Sequence, residues 1–74
     1  MIVTVKLFAF FREDRFKVKD VIFEEGTIVQ QVIEHYKIPV DEVGVTMING
    51  RHCQMNAVLS ENDILGIFPM IGGG

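Results

Sequence analysis

The sequence predicts a two-layer α+β domain in which one helix lies across one face of a mixed sheet of four to five strands. Three observations carry this. One stripe of helical period runs through Ile28, Val29, Val32, Ile33 and Tyr36, with Gln30, Gln31, Glu34 and His35 on the other side. The stretches before and after it alternate between apolar and polar at a period of two. Asn49-Gly50 then marks a hairpin, because both central positions of a type I′ turn need positive φ. One helix and one sheet each have an apolar face to bury, and the simplest solution is to bury them against each other.

Taken in order, residues 1–10 read as a strand, with Val3, Val5, Leu7 and Ala9 toward the core. Phe8 and Phe10 then fall on the outer face, beside Thr4 and Lys6. Arg12-Glu13-Asp14-Arg15 is a charged break, read as a solvated loop. Residues 16–24 resume the alternation with Phe16, Val18 and Ile22 inward, and a slip at Asp20-Val21 suggests a bulge or bend. Gly26-Thr27 opens the helix, with Thr27 as N-cap and Gln30 where a capping box places Glu or Gln. Pro39 stops it and holds Ile38 extended. After a connector at 40–43, residues 44–48 form the third strand and 51–54 its return. Leu59 anchors an irregular stretch, Ser60-Glu61-Asn62-Asp63 turns, and 64–68 is the last strand, ended by Pro69. In the order β-β-α-β-β-β the first and last strands can pair in parallel at the centre, since the intervening elements supply the crossover. That architecture is the β-grasp. Its expected core holds Val5, Leu7, Val29, Val32, Ile33 and Leu59.

With 74 residues the chain is expected to be one domain over 1–70, followed by a flexible glycine tail over 71–74. A hydrophobic content of 49% argues against disorder and exceeds what so small a core can hide, so an apolar contact surface is expected. The net charge of −3 argues against nucleic acid and favours a basic partner surface. One cysteine excludes an internal disulfide and fits a reducing compartment. No apolar run reaches membrane-spanning length and the N-terminus lacks the form of a signal peptide, so a cytoplasmic protein without a membrane partner is expected.

The side chains offer little chemistry of their own. Cys53 reads as a small buried hydrophobe, and its neighbour His52 points to the opposite face of the same strand. His35 lies on the polar side of the helix. One cysteine and two distant histidines give no metal-ligand spacing, so no metal is expected. The glycines form no phosphate loop, because no helix follows them and no Gly-Lys-Ser/Thr is present. Ser60 has nothing to place it beside a histidine.

What remains is the ending, Ile67-Phe68-Pro69-Met70-Ile71-Gly72-Gly73-Gly74. A glycine run is ordinarily a frayed end or a linker. Here it follows directly on an apolar strand. A tail without side chains is also thin enough to enter a narrow channel and deliver its terminal carboxylate.

Several segments resemble the MoaD/ThiS family of ubiquitin-like sulfur carriers, most closely its molybdopterin-synthase branch. Leu7-Phe8-Ala9 with Arg12-Glu13 is similar to that family's first strand, and Ile48-Asn49-Gly50 to its third-strand hairpin. Leu59 with Asn62-Asp63 resembles its Leu-x-x-Gly-Asp turn, Asn62 standing where Gly is usual; Asn also tolerates a left-handed turn. The ending resembles Phe-Pro-Pro-Val-Ser/Thr-Gly-Gly. Met70 replaces the second proline, which would loosen the tail, and Gly72 replaces a small polar residue.

The resemblance implies that Gly74 is the reactive terminus, adenylated by a ubiquitin-activating-type adenylyltransferase with ATP and then converted to a thiocarboxylate with sulfur from a sulfur-donating enzyme. It implies no bound cofactor, and no active site beyond that terminus. Phe8, Phe68, Pro69, Met70, Ile71, Gly72 and Gly73 would contact partners, among them the large subunit of molybdopterin synthase. Phe8 and Phe68 are expected together on the sheet face opposite the helix. A carrier for thiamin or another thiolation pathway, a ubiquitin-like protein modifier and a plain binding module share these features and stay open.

Overall fold

The computed structural model describes residues 1–70; Ile71, Gly72, Gly73 and Gly74 lie outside the described residues, and with them the expected tail segment. Five strands form one sheet: β1 (Ile2–Leu7), β2 (Val18–Ile22), β3 (Val43–Ile48), β4 (Arg51–His52) and β5 (Ile64–Pro69), in the order β2-β1-β5-β3-β4. β1 and β5 run parallel at the centre with Leu7 beside Ile67, and every other pairing is antiparallel. The single helix α1 (Val29–His35) buries Val29, Val32 and Ile33 against Val3, Val5, Leu7, Leu59, Leu65 and Ile67. This is the β-grasp, and all six expected core residues are buried.

The helix starts one residue later than its sequence suggests. Ile28 is the N-cap, held extended by a bridge to Val58. The first helical N–H groups are satisfied by main chain: Val29 donates to the Ala57 carbonyl at 3.0 Å and Gln30 to that of Met55 at 2.8 Å. With those orphan donors paired, no side-chain cap is needed. Thr27 instead donates its hydroxyl to the Glu24 carbonyl, and Gln31, not Gln30, reaches back to accept from the Ile28 N–H at 2.9 Å. The helix ends at His35, with Tyr36 as C-cap and Lys37 after it in the left-handed region at a φ of 56°, before Pro39 is reached.

Two further expectations change. The first strand stops at Leu7 because Ala9 takes a φ of 52° and opens a 3-10 turn, Ala9–Arg12. Ala9 is therefore exposed, and Phe11, carried inward by the turn, joins the core. The second strand has the opposite phase. Val3 pairs with Val21 and Ile2 with Ile22, so Val21 and Phe23 pack against the core, while Val18 and Ile22 face solvent. Phe16, which precedes β2, does pack against the core, and β2 pairs with β1 in unbroken register, without the expected bulge at Asp20-Val21.

The charged break is not merely solvated. Arg12 Nε donates to the Leu7 carbonyl at 2.7 Å. Arg15 donates to the carbonyls of Phe11, Tyr36 and Lys37, which places a cation at the C-terminal end of α1. The hairpin forms as its sequence requires, with Asn49 at φ 53° and Gly50 at φ 80°. Asn62 does adopt the left-handed conformation, at φ 67°.

Candidate functional site

Parallel pairing places the residue after Leu7 beside the residue after Ile67. Phe8 and Phe68 therefore meet on the outer face of the sheet, stacked with centroids 4.0 Å apart and planes 11° from parallel. Such a pair contributes roughly 0.5–1.5 kcal/mol beyond its area burial. Gly66 forms the floor: a Cβ there would stand 3.3 Å from the Phe68 ring and 3.4 Å from the Phe8 ring. The Arg12 guanidinium, fixed by the Leu7 carbonyl, sits 5.4 Å from the Phe8 centroid. A shallow groove of about 160 Å³ runs beside the rings, bounded by Lys6, Met47 and Ile64.

This face carries the apolar excess that the composition implied. Ile2, Val18, Ile22 and Ile64 are all exposed on it. Among its strand positions the only carboxylate is Asp20, which accepts from the Thr4 hydroxyl at 2.7 Å. Lys6 and Arg12 make the rim of the aromatic stack cationic, the reverse of the whole-chain sign. Apart from Asp20, the strand positions of this face carry no carboxylate.

β5 leads from the stack directly to the end of the described chain. Pro69 is buried and pairs with Val43, and Met70 is exposed. The Met70 N–H donates to the Glu42 carbonyl at 2.8 Å, so the missing second proline leaves no loose strand end at this residue. Ile71, Gly72, Gly73 and Gly74, also expected to act at the site, fall outside the described residues.

The other candidates remain unremarkable. His52 is exposed beside Met47, whereas Cys53 is half-buried, with Sγ 3.5 Å from the Thr46 hydroxyl. An open cleft of about 570 Å³ separates the 3-10 turn from the end of α1, lined in part by Phe10, Arg15, His35 and Tyr36. Partial burial raises the Tyr36 phenol above its ordinary pKa. Among the described residues no group of three or more His, Cys, Asp or Glu is placed to hold a metal, and no helix is long and apolar enough to cross a membrane.

A β-grasp domain with an open apolar sheet face and a stacked aromatic pair, in a chain whose sequence ends in three glycines, defines the class of ubiquitin-fold carriers and modifiers. Within it, the sequence model of the ThiS family matches residues 5–74, and the chain belongs to that family. A search of curated proteins gives no match. Among solved structures, a putative molybdopterin converting factor subunit 1 from Pyrococcus furiosus is 25% identical, with 96% of this chain and 99% of that one covered and a TM-score of 0.77. Small archaeal modifier protein 1 of Haloferax volcanii is 16% identical over 95% and 98%, with a TM-score of 0.75. A complex of subunits 1 and 2 of molybdopterin-converting factor from Helicobacter pylori contains a chain 17% identical, both chains fully covered, at a TM-score of 0.68. The latter two likenesses speak to the fold alone.

Proposed function

We propose that this protein is a sulfur carrier of the molybdopterin branch, the small subunit of a molybdopterin synthase. The Gly74 carboxylate attacks the α-phosphate of ATP on an activating enzyme, releasing pyrophosphate and forming an acyl-adenylate. A carboxylate is a poor electrophile, and adenylation gives it a good leaving group. Sulfide supplied by a sulfur-donating enzyme then attacks the acyl carbon and displaces AMP, leaving a thiocarboxylate, itself a potent sulfur nucleophile. The tail next enters the large synthase subunit and gives its sulfur to the pterin precursor. Gly72 and Gly73 let the backbone thread without side-chain clashes.

The observation that carries this reading is the Phe8–Phe68 stack on an open face, one residue before the end of β5 at Pro69. Binding energy gathered there can hold the protein while the terminus reacts at a distance. The Phe68-Pro69 pair supports the molybdopterin branch over the thiamin branch, whose members usually end Val-Ala-Gly-Gly without it. The Pyrococcus furiosus likeness supports the same branch, and the Helicobacter pylori complex suggests the large-subunit partner. The likeness to an archaeal modifier keeps protein conjugation as the second reading.

Intact-mass measurement of the protein isolated from its native cell tests the proposal. The expected result is a species heavier by the exchange of one oxygen for sulfur. Isopeptide-linked lysine adducts without any such species would favour the modifier instead. Phe8→Ala is expected to weaken binding to both the activating enzyme and the large subunit, since a truncated central aromatic commonly costs about 2 kcal/mol or more. Unchanged affinity for both partners by titration calorimetry would remove this face as the docking site.

A further inference from the structure

Pro69 and Met70, the last described residues before the tail, rest on a seat built by the start of β3. Pairing between β3 and β5 shifts register between Val43 and Val45, leaving Gly44 as the odd residue of a bulge. Its missing side chain is filled by backbone. A Cβ at Gly44 would stand 2.9 Å from Met70 Cα, 3.0 Å from Met70 N and 3.0 Å from the Pro69 carbonyl oxygen. A real Cβ does not sit that close to main chain, and the atoms it would meet are no flexible side-chain tip that could swing aside. The Met70 N–H is held from the same side by the Glu42 carbonyl at 2.8 Å. Pro69 is buried one residue earlier.

We propose that Gly44 is a positioning residue for the C-terminal reaction. By letting the Pro69–Met70 backbone lie flush on the start of β3, it fixes the point and direction from which the tail departs relative to the docking face. The inference rests on the carrier reading above for the reaction that it positions. The logic is geometric. The stack on β1 and β5 sets where the domain docks, and the seat at Gly44 and Glu42 sets where the tail begins. A reactive carbon at the far end of a short tail inherits any error at its root. A proline at position 70 would stiffen that root by itself, but it has no N–H. Here the hydrogen bond and the close approach at Gly44 hold a methionine in its place. Strain at Gly44 itself is not involved, because only Gly26 and Gly50 among the described glycines have positive φ. Gly44→Ala therefore probes space alone.

Two measurements test this. In the unmodified protein, hydrogen exchange should find the Met70 amide protected relative to an unstructured peptide. Exchange at the unstructured rate would overturn the proposal without recourse to any variant. In Gly44→Ala that protection should be lost. Affinity for the cognate adenylating enzyme, measured without ATP, should stay at the wild-type value, while kcat for ATP–pyrophosphate exchange falls by as much as about 100-fold. Phe8→Ala should do the opposite, losing affinity with less effect on kcat. A Gly44→Ala protein that exchanges pyrophosphate at the wild-type kcat, or whose whole loss is in affinity, refutes the positioning role. If the unmodified protein is itself never adenylated, the carrier reading fails, and the amide measurement still decides whether the seat exists.

Discussion

Ile33→Ala is expected to destabilise the domain by about 2–5 kcal/mol, a large share of the total stability open to a chain this short. Ile33 is fully buried within the helical stripe, on the side of α1 that packs against the sheet. Truncation removes three carbons from a site where short strands on one side and a seven-residue helix on the other have little room to collapse. At roughly 0.05–0.15 kcal/mol per residue, a chain of 74 residues has only about 4–11 kcal/mol in total. Urea denaturation followed by circular dichroism measures the loss. The matching control is Ile22→Ala. Sequence alternation placed Ile22 inward, but it is 79% exposed, and its truncation should change stability by less than about 0.5 kcal/mol. Equal losses at the two positions would mean that the observed phase of β2 is wrong.

Those two isoleucines mark where the sequence was readable. The helical stripe and the alternation of β1 are strong periodic signals, and Val3, Val5, Leu7, Val29, Val32 and Ile33, which they place inward, are all buried, although Ala9 is not. β2 carries apolar residues on both phases, with Val18 and Ile22 on one and Val21 and Phe23 on the other. Its pattern alone does not choose between them. The pairing of Ile2 with Ile22 makes the choice. The Thr27 cap followed a sound local rule that a tertiary contact superseded, because the main chain of Met55 and Ala57 reaches the helix start first. The turn at Ala9 left no trace, since an alanine in the left-handed region has no sequence signal and Phe8-Ala9-Phe10 continues the alternation.

At the site, the meeting of Phe8 and Phe68 could be inferred from strand phase and the expected neighbours. The cationic rim could not, because it depends on the 3-10 turn that swings Arg12 back to the Leu7 carbonyl. Gly44 did carry a signal that the sequence reading passed over: a glycine within a strand often marks a bulge or a close backbone approach. What approaches it, the Met70 main chain, is set by the register of β3 on β5, which only the folded structure supplies.

Deleting Gly74 is expected to abolish acyl-adenylate formation while leaving folding and docking intact. The core cluster and the Phe8–Phe68 stack are built from residues upstream of the tail, so thermal stability and affinity for the activating enzyme should match the unmodified protein. Removing one residue shortens the reach by about 3.5 Å of extended chain. Bringing a carboxylate into line with the ATP α-phosphate is steep in distance, and a misplacement of about 1 Å can already cost about 100-fold. Gly73→Val asks a different question, since it keeps the length but adds a branched side chain to a tail that, on the carrier reading, must thread a narrow channel. One residue added after Gly74 moves the carboxylate past the phosphate and should also fail unless a protease trims it. A frayed end would tolerate all three changes, because it makes no ordered contacts. Pyrophosphate exchange at the wild-type rate in all three variants would therefore show a tail with no chemical role, leaving a binding module whose one functional surface is the Phe8–Phe68 face. Loss in all three, with docking unchanged, separates the place where the protein is held from the atom that reacts.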